Sequence, residues 1–269
     1  MTMQRRAWLL VLVAASLWLG GCATGLRVDT SQRAAAQDSR VRFIVLHYTS
    51  ENRADSLRLL TQGRVSAHYL ITDEPVKIYA LVDENRRAWH AGLSQWFEYP
   101  NLNGMSIGIE IVNAGPLDTA QTRWAPYPDS QIRALAALLR DIQSRHQVKA
   151  WNIVAHSDIA PLRKTDPGPV FPWRELARQG LGRWYDEQAV ARRIPQVTAD
   201  MLADAQYIQR LLAHIGYPIR QSGVWDSQTQ QVIRAFQMHY RPKDISGHAD
   251  AQTVAIGQDL AGQMSTQQQ

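Results

Sequence analysis

The stretch from Trp151 to Gly168 leaves this chain the least conformational freedom. It opens with the apolar run Trp151-Asn-Ile-Val-Ala155 and continues His156-Ser-Asp-Ile-Ala-Pro-Leu-Arg-Lys164-Thr-Asp166-Pro-Gly. A short apolar run bounded by turn signals reads as a buried strand. Pro161 and Pro167 remove backbone donors and disfavour a helical conformation in the residues before them. A strand ending at His156 must therefore feed a stiff, irregular loop. That loop carries an imidazole, an ammonium and a carboxylate in close succession. Reactive groups on a loop held by a rigid strand are well placed for chemistry.

Partner strands for this one lie upstream. Val41-Arg-Phe-Ile-Val-Leu-His47 is rich in β-branched and aromatic residues. Residues 66–72 and 76–82 flank Asp73-Glu74-Pro75 as a hairpin, and residues 105–113 read as a further strand. Residues 55–62 form a short helix stopped by Gly63. The strongest helix is 129–146, with Ile132, Leu135, Leu138, Leu139 and Ile142 on one face and Asp129 or Ser130 as its cap. A short helix is expected over 172–179. The alternation predicts an α/β domain over residues 41–185, a central mixed β-sheet packed with helices. Residues 186–197 break the pattern in a charged segment containing Pro195 and read as a linker. Residues 198–265 carry three helical segments, 201–214, 226–240 and 250–260, and predict a small three-helix domain.

The N-terminus reads as an address. Arg5 and Arg6 precede an uncharged apolar run from Ala7 to Leu19, too short to span a bilayer and suited to a signal peptide. Leu19-Gly20-Gly21-Cys22 resembles a bacterial lipobox. The resemblance implies a signal peptide over 1–21 and lipid attachment at Cys22. Ala23 in the next position implies the outer membrane, facing the periplasm. The polar, small residues up to 40 would then be a tether. Cys22 is the single cysteine of the chain, which excludes internal disulfides and a Cys-rich metal site. Any metal must be held by His and carboxylates. The net charge of +5 loses two units with Arg5 and Arg6, and the remaining basic residues are scattered. No basic stripe suggests a nucleic-acid partner.

His47 ends the first strand much as His156 ends the last. In Ser106-Ile-Gly-Ile-Glu110-Ile-Val-Asn113 the isoleucines share one strand face, and Ser106, Gly108 and Glu110 share the other. A carboxylate in an apolar strand is costly unless paired or functional. Gly108 leaves room for something to approach.

His47, the Ile-Glu-Ile-x-Asn pattern and His156…Lys164-x-Asp166 together resemble the type 2 N-acetylmuramoyl-L-alanine amidases, across residues 41 to about 180. The resemblance implies a Zn2+ site on His47, His156 and Asp166, with Glu110 as general base and Lys164 stabilising the oxyanion. It implies hydrolysis of the amide between N-acetylmuramic acid and L-alanine in peptidoglycan or muropeptides. Ala88-Trp89-His90-Ala91-Gly92 resembles the segment that lines the family's groove, so Trp89 and His90 are expected to bind substrate, with His68 and Asn113 beside them. Ala155 and Leu162 depart from the glycines that many members carry. Gly223-Val-Trp-Asp226-Ser-Gln-Thr229, Phe236-Gln237 and Asp250-Ala-Gln-Thr253 resemble a helical peptidoglycan-binding domain, which would add residence on the wall by avidity. Its deletion is expected to spare cleavage of small muropeptides. A tethered monomer suffices for such an enzyme. The alternatives are a non-catalytic peptidoglycan-recognition lipoprotein and a zinc hydrolase for another amide.

Overall fold

The computed structural model describes residues 28–267. Residues 28–38 carry no helix or strand and belong to a unit of their own; the chain from Ser39 onward is a second compact unit. The predicted signal segment and Cys22 lie outside the described residues.

The second unit is built on a five-stranded sheet. Its strands are β1 (Phe43–Tyr48), β2 (Tyr69–Ile71), β3 (Ile78–Ala80), β6 (Ser106–Ile111) and β7 (Ile153–Ala155), in the order β3-β2-β6-β1-β7. β1 runs parallel to both β6 and β7, β2 is parallel to β6, and only β3 is antiparallel, as the hairpin partner of β2. A separate two-stranded ribbon joins β4 (Gln95–Trp96) to β5 (Tyr99–Pro100). The expected mixed sheet is therefore present, with strands shorter than their apolar runs.

Residue alternation assigns the two faces. Ile44, Leu46, Ile107, Ile109 and Ile111 pack with Ile132, Leu135, Leu139 and Ile142 of helix α2 (Asp129–His146). Before it, α1 (Arg53–Gln62) is capped by the Asn52 side chain. The cap of α2 differs from expectation. Pro128 holds that position without a side-chain bond, and Asp129 sits in the first turn, where its charge favours the helix dipole.

The other face, with Phe43, Val45 and Val154, shares one cluster with Ile208, Leu212, Ile215, Val232, Ile233 and Phe236. Those residues lie on α7 (Ala205–Ile215) and α8 (Ser227–Tyr240), which with α9 (Ala251–Gln267) make the C-terminal bundle. Burying a side chain such as Phe236 contributes roughly 1.5–3 kcal/mol, so this contact is part of the fold. Phe97 N–H donates to the Gly216 carbonyl at 2.9 Å across the contact. Gly216 has φ +125°, and a Cβ there would lie 2.8 Å from the Trp96 ring. Only glycine permits that approach.

The segment expected as a linker is folded. Two short helices, α3 (His156–Ile159) and α4 (Trp173–Ala177), precede it, and a third, α5 (Glu187–Arg193), lies within it. Asp186 caps α5 through the Gln188 and Ala189 amides, Val190 is buried, and Asp186 N–H donates to Asp259 of α9 at 2.9 Å. The single helix expected over 201–214 is two, α6 (Ala199–Ala203) and α7. Asp204 ends the first and caps the second by accepting from Tyr207 N–H, the competition typical of short acidic side chains.

Candidate active site

Parallel pairing gathers the chemistry at one end of the sheet. The register sets His47 opposite Glu110 on adjacent strands, and Leu46 opposite Ala155. His156, the next residue, thus emerges beside His47. Ligands in open α/β sheets bind at the carboxyl ends of the strands for this reason. α3 starts at His156, and the Pro-punctuated loop returns so that Ser157 N–H donates to the Asp166 carbonyl at 2.9 Å.

Three side-chain atoms then converge. His47 Nδ1 lies 2.9 Å from His156 Nδ1 and 3.0 Å from Asp166 Oδ2, and His156 Nδ1 lies 2.9 Å from that same oxygen. All three residues are buried. The neighbours decide which nitrogens carry protons. The Leu102 carbonyl can only accept, so Ser106 Oγ–H donates to it at 2.7 Å. Ser106 Oγ therefore accepts from His90 Nε2–H at 3.1 Å. His90 Nδ1 is left bare and accepts from His47 Nε2–H at 3.0 Å. His156 Nε2–H donates to the Ala91 carbonyl at 3.1 Å. Both Nδ1 atoms are thus lone pairs aimed at one point with a carboxylate oxygen.

Electrostatics agree with that assignment. Burial, reinforced by the neighbouring His156 and opposed by Asp166, lowers His47 to about 4. It is neutral at pH 7. Burial alone would raise Asp166, but the neighbouring His156 and His47 outweigh it and hold the carboxyl well below its usual range. Two imidazole Nδ1 lone pairs and one carboxylate oxygen are a donor set that zinc takes in hydrolytic sites. Bare lone pairs at such distances repel one another unless a proton or a cation sits among them. His47, His156 and Asp166 are the sole group of this kind among the described residues.

Glu110 faces the same end of the sheet. Its Oε2 is buried without a hydrogen-bond partner. Burial first, then the Asp166 charge, push its carboxyl well above the ordinary range, while Lys164 opposes them. The Lys164 ammonium is felt at both Glu110 and His47.

Other expected site residues belong to the scaffold. His68 is fully buried; its Nδ1 accepts from Gly108 N–H at 3.0 Å and its Nε2 pairs with the Arg86 carbonyl at 3.1 Å. With both nitrogens engaged, it is not a groove residue. His90 is likewise buried behind His47, where it orients that ring. The space left by Gly108 is filled by the His90 ring: a Cβ on Gly108 would lie 2.3 Å from His90 Cγ. Asn113 holds a loop. It donates to the Ala125 and Pro126 carbonyls at 3.3 and 2.9 Å and accepts from Gly115 N–H at 2.8 Å. Trp89 alone of these is open to solvent, with the Arg87 guanidinium 4.0 Å over its ring. Arg163 went unnoticed in the sequence. Its guanidinium donates to the Ala91 and Leu93 carbonyls, clasping the Trp89–Gly92 segment to the His156 loop. Only its place next to Lys164 pointed to it.

Residues 37–169 match the sequence profile of the N-acetylmuramoyl-L-alanine amidases, and residues 202–256 match that of a peptidoglycan binding domain. The chain is 42% identical over 277 aligned residues to N-acetylmuramoyl-L-alanine amidase AmiD of Escherichia coli strain K12, covering 96% of this chain and 98% of that one. This chain belongs to the N-acetylmuramoyl-L-alanine amidase family. It is an amidase that hydrolyses the bond between N-acetylmuramic acid and L-alanine. The solved complex of E. coli AmiD with anhydro-N-acetylmuramic acid-L-Ala-D-gamma-Glu-L-Lys superposes with a TM-score of 0.81 at 41% identity, covering 89% of this chain and 95% of that chain. AmpDh3 of Pseudomonas aeruginosa superposes at 0.83 with 38% identity, over 89% and 99% of the two chains.

Proposed function

We propose that this amidase works with one zinc ion held by His47, His156 and Asp166, and that 1,6-anhydromuropeptides are among its substrates. The convergence of two bare Nδ1 lone pairs and a carboxylate oxygen carries the metal assignment. The solved complexes of AmiD and AmpDh3 with anhydromuramoyl peptides support the substrate class. A zinc ion held by these three residues would supply a Lewis acid and would lower the pKa of bound water toward about 7. Glu110 is the general base. Burial raises this carboxyl above its ordinary range, so it holds a proton more readily than an exposed glutamate, as a base must, and no hydrogen bond within the fold competes at Oε2 for the proton taken from the attacking water. The same carboxyl returns that proton to the leaving L-alanine nitrogen. The Lys164 ammonium stabilises the negative charge that develops on the carbonyl oxygen. Trp89, exposed at the rim, offers a face on which a sugar ring can stack.

Cleavage products test this reading. Purified chain and an anhydromuramoyl-tripeptide should yield anhydro-N-acetylmuramic acid and a peptide with a free L-alanine amine, by mass. Loss of that product after chelation and its return with zinc are expected; products cut elsewhere would refute the reading.

The lipid anchor at Cys22 and the outer membrane as its destination are part of the same proposal, supported by Leu19-Gly-Gly-Cys22. No described helix is long and apolar enough to cross a membrane. Cys22→Ala, or globomycin, should move the protein from the membrane to the soluble fraction. The C-terminal bundle is proposed to hold peptidoglycan, supported by the family match over 202–256.

A further inference from the structure

The C-terminal bundle does more than pack against the sheet. It reaches the turn that carries His156. Asp158, two residues beyond that histidine, is fully buried. Its Oδ2 accepts from the Ala155 amide at 2.8 Å, the one donor that comes from its own turn. Two further donors come from the bundle. Tyr217 Oη–H donates to Oδ1 at 2.6 Å, and His239 Nδ1–H donates to Oδ2 at 2.7 Å. Both are buried. The His239 ring is itself fixed, stacked 4.0 Å from Trp173 and 3.9 Å from Tyr240. Its Nε2 is buried without a partner, so the Asp158 contact is the bond that its orientation serves.

The consequence follows from desolvation. A buried carboxylate is tolerated only when its oxygens are hydrogen-bonded. Without Tyr217 and His239, Asp158 would retain a single donor and would draw the turn open toward water. His156 sits at the first position of that turn. A displacement there moves Nδ1 away from the convergence with His47 and Asp166, where fractions of an ångström matter.

We propose that Tyr217 and His239 are positioning residues for the metal site: through Asp158 they lock the turn that presents His156. The bundle would then be a structural component of the catalytic centre as well as a wall-binding module. The inference rests on His156 being a zinc ligand.

The test uses the full chain and four readouts: hydrogen exchange, zinc affinity, turnover and melting temperature. Tyr217→Phe removes one hydroxyl and keeps the ring; His239→Ala removes the donor, and His239→Asn restores an N–H near the Nδ1 position. Asp259→Asn is the control, since it loosens the bundle at the Asp186 amide and Arg193, away from the metal site. Hydrogen exchange over residues 153–160 should accelerate in Tyr217→Phe and His239→Ala and not in Asp259→Asn. Zinc affinity, measured by competition with a chromophoric chelator, should fall about 10- to 100-fold, the usual cost of losing an outer-shell partner. Turnover should fall with KM nearly unchanged, and His239→Asn should recover most of the affinity. Zinc affinity within twofold of wild type in Tyr217→Phe and His239→Ala, with melting temperature lowered as in Asp259→Asn, would overturn the proposal. Zinc binding that survives His156→Ala would defeat the ligand assignment itself, and the clamp with it.

Discussion

Gly108→Ala adds one methyl group at the place where it does most harm. Gly108 lies on β6, inside the sheet between β1 and β2. The new Cβ would sit 2.3, 2.5 and 2.6 Å from His90 Cγ, Cδ2 and Nδ1. Ordinary contact needs more than an ångström of additional room. The strand is held on both sides, and the His90 ring is pinned by its bonds to His47 at 3.0 Å and Ser106 at 3.1 Å. One side must yield. Overpacking of this kind costs about 1–3 kcal/mol, and a buried hydrogen bond lost with it adds about 1 kcal/mol. For a chain of this size each kcal/mol shifts Tm by about 2–4 °C, so a fall of about 5–15 °C is expected by calorimetry. Displacing His90 also frees the His47 ring, so zinc affinity should drop about 10- to 100-fold. Gly104→Ala is the companion variant: a Cβ there meets nothing within 4 Å. It should leave both quantities unchanged. A Gly108→Ala chain as stable as Gly104→Ala, with wild-type zinc affinity, would refute the relay from His90 to His47.

Glu110→Gln should lower turnover by about 10²- to 10⁴-fold, the usual contribution of a general base. Bound zinc and Tm should be unchanged, as measured by metal analysis and calorimetry. Asn113→Ala should cost about 1–3 kcal/mol through three lost loop bonds, with KM unaltered in steady-state assays, because Asn113 holds a loop and does not line the groove. Glu84 joins the Arg145, His146 and Tyr69 side chains. Arg145 above all, against the opposing effect of burial, lowers its carboxyl from 4.5 to about 2. The folded form therefore prefers the ionised state, so the stabilisation is complete above about 4.5 and fades as pH falls through about 2. In urea titrations Glu84→Gln should be less stable than wild type by about 1 kcal/mol at pH 7, a value discounted for partial exposure. The two curves should converge as pH falls from 4.5 toward 2.

Much of the fold was legible because its signals are local. The apolar faces of β1, β6 and α2, and the hairpin at Asp73-Glu74-Pro75, depend on periodicity and turn chemistry alone. The convergence of His47, His156 and Asp166 was legible through strand ends and through the resemblance of the loop. What stayed hidden depends on distant packing. His68 and His90 resemble groove residues in sequence, yet the pleat of β6 and the gap at Gly108 draw both rings inward. The charged composition of 186–197 suggested a linker, but a single Asp186 cap and the buried Val190 make it a helix. Nothing in the primary sequence ties Asp158 to Tyr217 and His239.

Zinc titration of the metal-free enzyme, with turnover of an anhydromuramoyl-tripeptide followed at each addition, tests the central claim most directly. Activity should rise in proportion to zinc and reach its plateau at one ion per chain, and His47→Ala, His156→Ala and Asp166→Ala should abolish the rise. Turnover that is the same with and without zinc, or that survives loss of any of these three residues, would contradict the account.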